Sequence, residues 1–231
     1  MPFRLSEVVP WGRSYDEYLA MFSLSSGDLQ KNILGCSDGP ASFNAVLTSK
    51  GGSIISADPI YAFSSTEIQQ RIRETSATIL EQTEKNREAF TWNHIPSVQE
   101  LGKIRMAAMN IFSEDFELGK TQKRYINSSL PELDFPDQFF DLALCSHFLF
   151  LYSEHLSETF HLTSIKELCR VASETRVFPL LELNGKKSRH LEKVITLLKQ
   201  EGFQLKVQRA IYEFQKGGNE MLVISSSSTA L

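Results

Sequence analysis

The residues with the strongest claim to chemistry lie between Asn32 and Asp58 and around His147. Asn32-Ile-Leu-Gly-Cys-Ser-Asp-Gly39 places two glycines, Gly35 and Gly39, in a turn that follows an apolar run. Glycine lacks the Cβ that would hold a ligand away from the main chain, so such a turn admits close approach. A helix expected over about Ala41 to Lys50 aims free amides and a positive dipole end at this turn, which suits a carboxylate as well as a phosphate. Gly51-Gly52 breaks that helix, Ser53–Ala57 reads as a second strand, and Asp58 stands at its end. A carboxylate there can accept both hydroxyl protons of a ribose; the alternative is an Asp that starts the turn before Pro59. Further along, Cys145-Ser-His147 ends an apolar run. His147 is a candidate proton acceptor or, equally, a side chain anchoring its loop to backbone.

Capping signals punctuate the elements that position these residues. Ser14-x-x-Glu17, Ser64-x-x-Glu67 and Ser97-x-x-Glu100 each read as a capping box. They predict helices over 14–23, from 64 to about 86, and onward from 97. Strands are expected over 124–127 and 140–146, the second almost continuously apolar, as a central parallel strand buried on both faces is. A helix over about 162–173, a strand over 175–183 and a helix over about 188–200 follow. Two strands, 204–213 and 220–225, are joined by a turn at Lys216-Gly-Gly-Asn219, which predicts an antiparallel hairpin. The tail from 225 to 231 is expected to fray. The βα alternation with a terminal hairpin predicts a three-layer α/β/α domain, its sheet mostly parallel. The segment 86–116, with Trp92, Asn93 and His94 near its start, is additional to one crossover. It is either a cap over the crevice or a surface helix.

The 231 residues suit one such domain, and 42% hydrophobic with 23% charged residues is ordinary for a globular chain. A net charge of −4 supplies no broad positive field for nucleic acid. Lys186, Lys187, Arg189 and His190 cluster locally, most simply as a solvated first helical turn. Cys36, Cys145 and Cys169 are odd in number and widely spaced, which argues against disulfides and structural zinc. Met1–Pro10 lacks a leader-like apolar stretch, and Phe139–Tyr152 is too short to span a bilayer. The expectation is a cytoplasmic protein with no membrane or nucleic-acid partner. His155 and His161 have no partner at ligand spacing and read as surface histidines, so no metal is expected.

Over about 14–225 the whole pattern resembles the Rossmann-like, class I S-adenosylmethionine-dependent methyltransferases. Three features carry the resemblance: Gly35-Cys-Ser-Asp-Gly39 with Asp58 closing strand two; Leu133-Asp-Phe-Pro-Asp-Gln-Phe-Phe-Asp-Leu-Ala-Leu144, similar to the family's lead into strand four; and the hairpin. The resemblance implies a seven-stranded sheet and S-adenosyl-L-methionine as cofactor, with a small molecule as methyl acceptor. It implies cofactor contacts from Arg13, Tyr15, Gly35, Cys36, Ser37, Gly39, Asp58, Pro59, Ser129, Leu130, Cys145 and Ser146, and His147 as base. Arg13 would pair with the cofactor carboxylate. Phe148, Phe150 and Tyr152, with Tyr61, Phe63 and Trp92, are candidate pocket walls, and Glu182 and Asn184 weaker polar candidates. Ile33 and Ser37 depart from the family pattern, which has an acid and a glycine there. Aminocarboxypropyl transfer from the same cofactor and a non-catalytic cofactor-binding module stay open as alternatives. An NAD-linked oxidoreductase is disfavoured by the hairpin and by the lack of a full GxGxxG.

Overall fold

A computed structural model describes residues 9–225. The frayed tail expected beyond 225 and the start of the chain lie outside the described residues. Seven strands form one sheet in the order β3-β2-β1-β4-β5-β7-β6. Strands β1 (Asn32–Cys36), β2 (Ser53–Ala57), β3 (Tyr125–Ile126), β4 (Phe140–Ser146) and β5 (Ala172–Phe178) are parallel. Strand β7 (Glu220–Ser225) runs antiparallel to β5 and to β6 (Gln204–Arg209).

Strand pleating sends alternate residues to opposite faces. Ile33, Leu142 and Leu144 meet α1 (Tyr15–Met21) and α2 (Phe43–Ser49) through Tyr18, Phe22, Phe43 and Leu47. Leu34, Ala143 and Val177 belong to the other core, closed by Ile165 and Leu168 of α5 (Glu158–Val171) and by Val194 and Leu198 of α6 (Leu191–Gln200). Each of those four side chains is fully buried, and each contributes about 1.5–3 kcal/mol. Helices therefore cover both faces of the sheet.

Two long helices separate β2 from β3. The first, α3 (Ser65–Lys85), opens with the reciprocal Ser64–Glu67 cap. The second, α4 (Val98–Thr121), packs on α2 and delivers the chain to β3, so it is the crossover helix. It runs past the expected end at 116, because Phe112 and Phe116 join Tyr61 and Tyr125 in a third core.

Several boundaries differ from the sequence reading. α5 begins at Glu158, behind the Ser157 cap. β5 starts at Ala172 and stops at Phe178, since Pro179 has no amide to continue a ladder. α6 begins at Leu191, so the basic cluster lies in the preceding loop. There Arg189 bonds Glu182 at 2.8 Å and Lys187 pairs with Glu220 at 3.4 Å. Among the described residues no helix is long and apolar enough to cross a membrane.

Candidate active site

A cavity of about 220 Å³ opens where β1, β2 and β4 end. This is the point between β1 and β4 at which the strand order reverses, and such crevices are where open α/β sheets bind ligands. Of the residues implicated by sequence, the cavity brings together Arg13, Ser37, Gly39, Asp58, Pro59, Ser129, Leu130, Ser146 and His147. Helix α3 adds Ile79, and the segment before α1 adds Trp11.

Asp58 is fixed by backbone. Its Oδ2 accepts from Gly39 N and its Oδ1 from Ile60 N, both at 2.8 Å. Each carboxylate oxygen retains a second lone pair. Burial raises its pKa, opposed by the two amide bonds. Gly39 has φ +54°, and a Cβ there would meet nothing within 4 Å, so its backbone faces open space beside Asp58. Ser37 also adopts a left-handed conformation, φ +57°, where the resembling family has glycine. Its amide donates to Ala57 O at 2.8 Å, which ties the loop to β2.

Four of the expected contact residues lie outside the cavity lining. Gly35 does not line the cavity; a Cβ at this position would lie 1.8 Å from Asp38 Oδ2, so its bareness seats that carboxylate. Cys36 and Cys145 are register partners on β1 and β4 and point into the core. Burial pushes both thiols up, Cys145 to about 12, so neither presents a thiolate. Tyr15 stacks on Phe43 with ring centroids 5.5 Å apart and lines a different groove. Its position one residue beyond the Ser14 cap turns it away from the crevice.

Asp38 also lines the cavity, a position the sequence pattern did not single out. It is buried, with Oδ1 accepting from Tyr18 Oη and Oδ2 from Ser56 Oγ, each at 2.8 Å. Burial raises its pKa to about 6 against those two hydrogen bonds, with the Asp58 charge adding to the rise. Ile33, where the resembling family carries an acid, is fully buried in the core. The nearest sequence signal for Asp38 was its place inside the glycine turn, three residues after Gly35.

The opposite wall is cationic. Arg13 Nη1 donates to Trp11 O at 2.5 Å, while its Nε is buried without a hydrogen-bond partner. Burial and then the Arg105 charge lower its pKa to about 10. Arg105 of α4 is fully buried and forms an ion pair with Glu17 of α1. Tyr212 Oη donates to Glu17 Oε1 at 2.8 Å. Burial would raise the Glu17 pKa, but Arg105 and then Arg13 hold it down at about 2. Sequence spacing could not join residues so far apart.

His147 sits between strand ends, with φ +53° and its amide bonded to Phe178 O at 2.7 Å. Its Nδ1 is 2.9 Å from Ser146 Oγ. Burial first, then Arg13 and Arg105, hold its pKa well below the usual histidine value, so the ring is neutral at pH 7. A second cavity of about 90 Å³ adjoins the first and shares Arg13, Ile79, His147 and Leu183 with it. The segment 86–116 supplies Phe90, Leu101 and Arg105 to this second cavity.

Other candidates lie elsewhere. Glu182 is engaged by Arg189, which lowers its pKa, and Asn184 bonds Glu182 at 3.1 Å. Phe150 packs at 5.3 Å from His161 in the core, whereas Phe148 and Tyr152 do line the larger cavity. Tyr61 is buried and donates to Gly39 O at 2.8 Å, and Phe63 is exposed. Trp92 meets Phe214 edge-on at 5.5 Å, outside both cavities. His161 is not a surface residue. It is fully buried, with Nδ1 2.7 Å from Ser157 O and Nε2 2.9 Å from Leu149 O.

No family model matches the chain. Among solved structures it is similar to the magnesium protoporphyrin IX methyltransferase of Synechocystis PCC 6803 with bound SAM, at 14% identity and a TM-score of 0.48, over 92% of this chain and 78% of that one. It is also similar to the methyltransferase domain of bacterial CtHen1, at 14% identity and a TM-score of 0.48, over 91% of this chain and 98% of that one. The uncharacterized protein MJ0045 of Methanocaldococcus jannaschii is 35% identical over 225 residues, covering 95% of this chain and 97% of that protein. The chain belongs to the same family as MJ0045, and its strand order with the terminal hairpin is that of the Rossmann-like methyltransferase fold.

Proposed function

We propose that the chain is an S-adenosylmethionine-dependent methyltransferase acting on a small molecule. The observation that carries this reading is Asp58. Its carboxylate ends β2, is braced by Gly39 N and Ile60 N, and borders a cavity at the switch point of this sheet. The residues fit the cofactor in three respects. Asp58 retains acceptor capacity for a ribose diol. Pro59 and Leu130 offer apolar walls for a purine, with Ser129 beside them. The unbonded Arg13 Nε offers a donor for the carboxylate of the amino-acid end.

When bound, S-adenosylmethionine supplies an electrophilic methyl group on a sulfonium. The protein's part is alignment and removal of water, which can lower a barrier by several kcal/mol. Gly39 leaves space for close approach of the backbone, and Ile79 and Trp11 add apolar wall to the crevice. His147 is neutral, borders both cavities and can accept a proton from an acceptor hydroxyl or amine.

Titration calorimetry with S-adenosylhomocysteine tests the reading. The intact protein binds it, and Asp58→Ala weakens binding at least tenfold; no binding by the intact protein would remove the proposal. Mass analysis of the spent cofactor then distinguishes the reactions. S-adenosylhomocysteine is expected, and methylthioadenosine would instead support aminocarboxypropyl transfer.

A further inference from the structure

The second cavity has a chemistry of its own. Its walls are largely aromatic and aliphatic, with Trp11, Phe90, Phe178 and Phe214 among them. Two guanidiniums, Arg13 and Arg105, border it, and among the described residues no carboxylate does. Glu17 is the carboxylate that both arginines act on, and it lines a separate groove together with Ser14, Tyr15 and Tyr212. The pair of cations is therefore matched by one buried anion. Arg105 is fully buried, and its Nε has no hydrogen-bond partner. Its Nη2 reaches Tyr212 Oη only at 3.5 Å, the limit of a hydrogen bond. Glu17 is the ion-pair partner of Arg105, so what is left unmet on Arg105 is the buried Nε donor, and an unmade buried donor is costly.

We propose that this cavity receives the methyl acceptor and that the acceptor is a small apolar carboxylic acid, its carboxylate held by Arg105. The proposal rests on the methyltransferase reading for the word acceptor, and on the cavity alone for the anion. A carboxylate fits better than a larger anion. The cavity is small, about 90 Å³. A planar guanidinium also matches a carboxylate fork. The same anion would act on His147. The two guanidiniums hold that ring's pKa down after burial has done so, and a neutralising carboxylate relieves their part. Acceptor binding would thus turn a weak base into a stronger one where a proton must be taken.

The test uses the whole protein and two matched probes, benzoate and benzamide, followed by NMR with and without saturating S-adenosylhomocysteine. Benzoate is expected to bind at least tenfold more tightly than benzamide in either state, and to move the His147 titration upward. Arg105→Met is expected to abolish the preference. Glu17→Gln keeps the cap of α1, removes the competing carboxylate and is expected to tighten benzoate binding several-fold. This second variant decides the matter if Arg105→Met does not fold. Equal binding of the two probes, or a preference indifferent to both variants, overturns the proposal. Failure of S-adenosylhomocysteine to bind overturns the cofactor reading instead, and the probe arms without it still decide on the anion.

Discussion

Replacing Asp38 by Asn changes the pH dependence of stability by an amount the structure specifies. The Asp38 carboxyl is buried between Tyr18 and Ser56, and its pKa is raised from 3.8 to about 6. A raised carboxyl pKa means that the folded state binds the proton more tightly than the unfolded chain. Its stabilising contribution is therefore complete below about pH 3.8 and is lost as pH rises through 6. A shift of roughly two units corresponds to about 3 kcal/mol. Asn is nearly isosteric and can still accept from Tyr18, but it carries no titrating proton. Urea unfolding of both proteins between pH 3.5 and 7.5 gives the difference directly. Glu17, whose pKa is lowered to about 2, loses its contribution as pH falls below about 4.5 in both proteins, so it cancels. Asp38→Asn is expected to gain about 3 kcal/mol relative to the parent across this range, most of it between pH 4 and 7. A difference that stays flat with pH, or falls as pH rises, would refute the description of Asp38 as a carboxylate whose burial outweighs its two hydrogen bonds.

Gly35→Ala forces a Cβ into the space of Asp38 Oδ2 and is expected to destabilise the fold by about 1–3 kcal/mol, read by thermal unfolding. Gly39→Ala meets no atom within 4 Å and should cost only the left-handed backbone penalty of about 1–2 kcal/mol. Ser37→Gly relieves the same kind of strain at φ +57°; a lower melting temperature would contradict the conformational reading. Arg13→Met should weaken S-adenosylhomocysteine binding about tenfold or more by calorimetry, as loss of a charge-assisted hydrogen bond requires, and unchanged affinity would remove Arg13 from the site.

The fold was legible where local signals and topology agree. Three serine caps announced α1, α3 and α4, the apolar run 140–146 announced the central strand, and the short link at 216–219 announced the reversed β7. Element ends were less legible, because packing against the sheet set the limits of α4, α5 and β5. Gly39, Asp58 and His147 line one cavity because each follows a strand that the sheet must place side by side. Gly35, Cys36 and Cys145 lie outside the cavity lining. A strand-end position does not reveal which face a residue takes: Cys36 and Cys145 turn into the core, and the Cβ space of Gly35, on the other face, is occupied by the Asp38 carboxylate. Arg105, Glu17 and Tyr212 were invisible for another reason. They come together from α4, α1 and the loop before β7, and only the closed fold makes them neighbours.

Asp58 and the Gly39 turn are proposed to form a cofactor site. A crystal structure of the protein with S-adenosylhomocysteine tests it most directly. The ribose hydroxyls are expected on Asp58, the purine between Pro59 and Leu130, and the carboxylate at Arg13. A ligand seated elsewhere, or an empty crevice at saturating ligand, would contradict it.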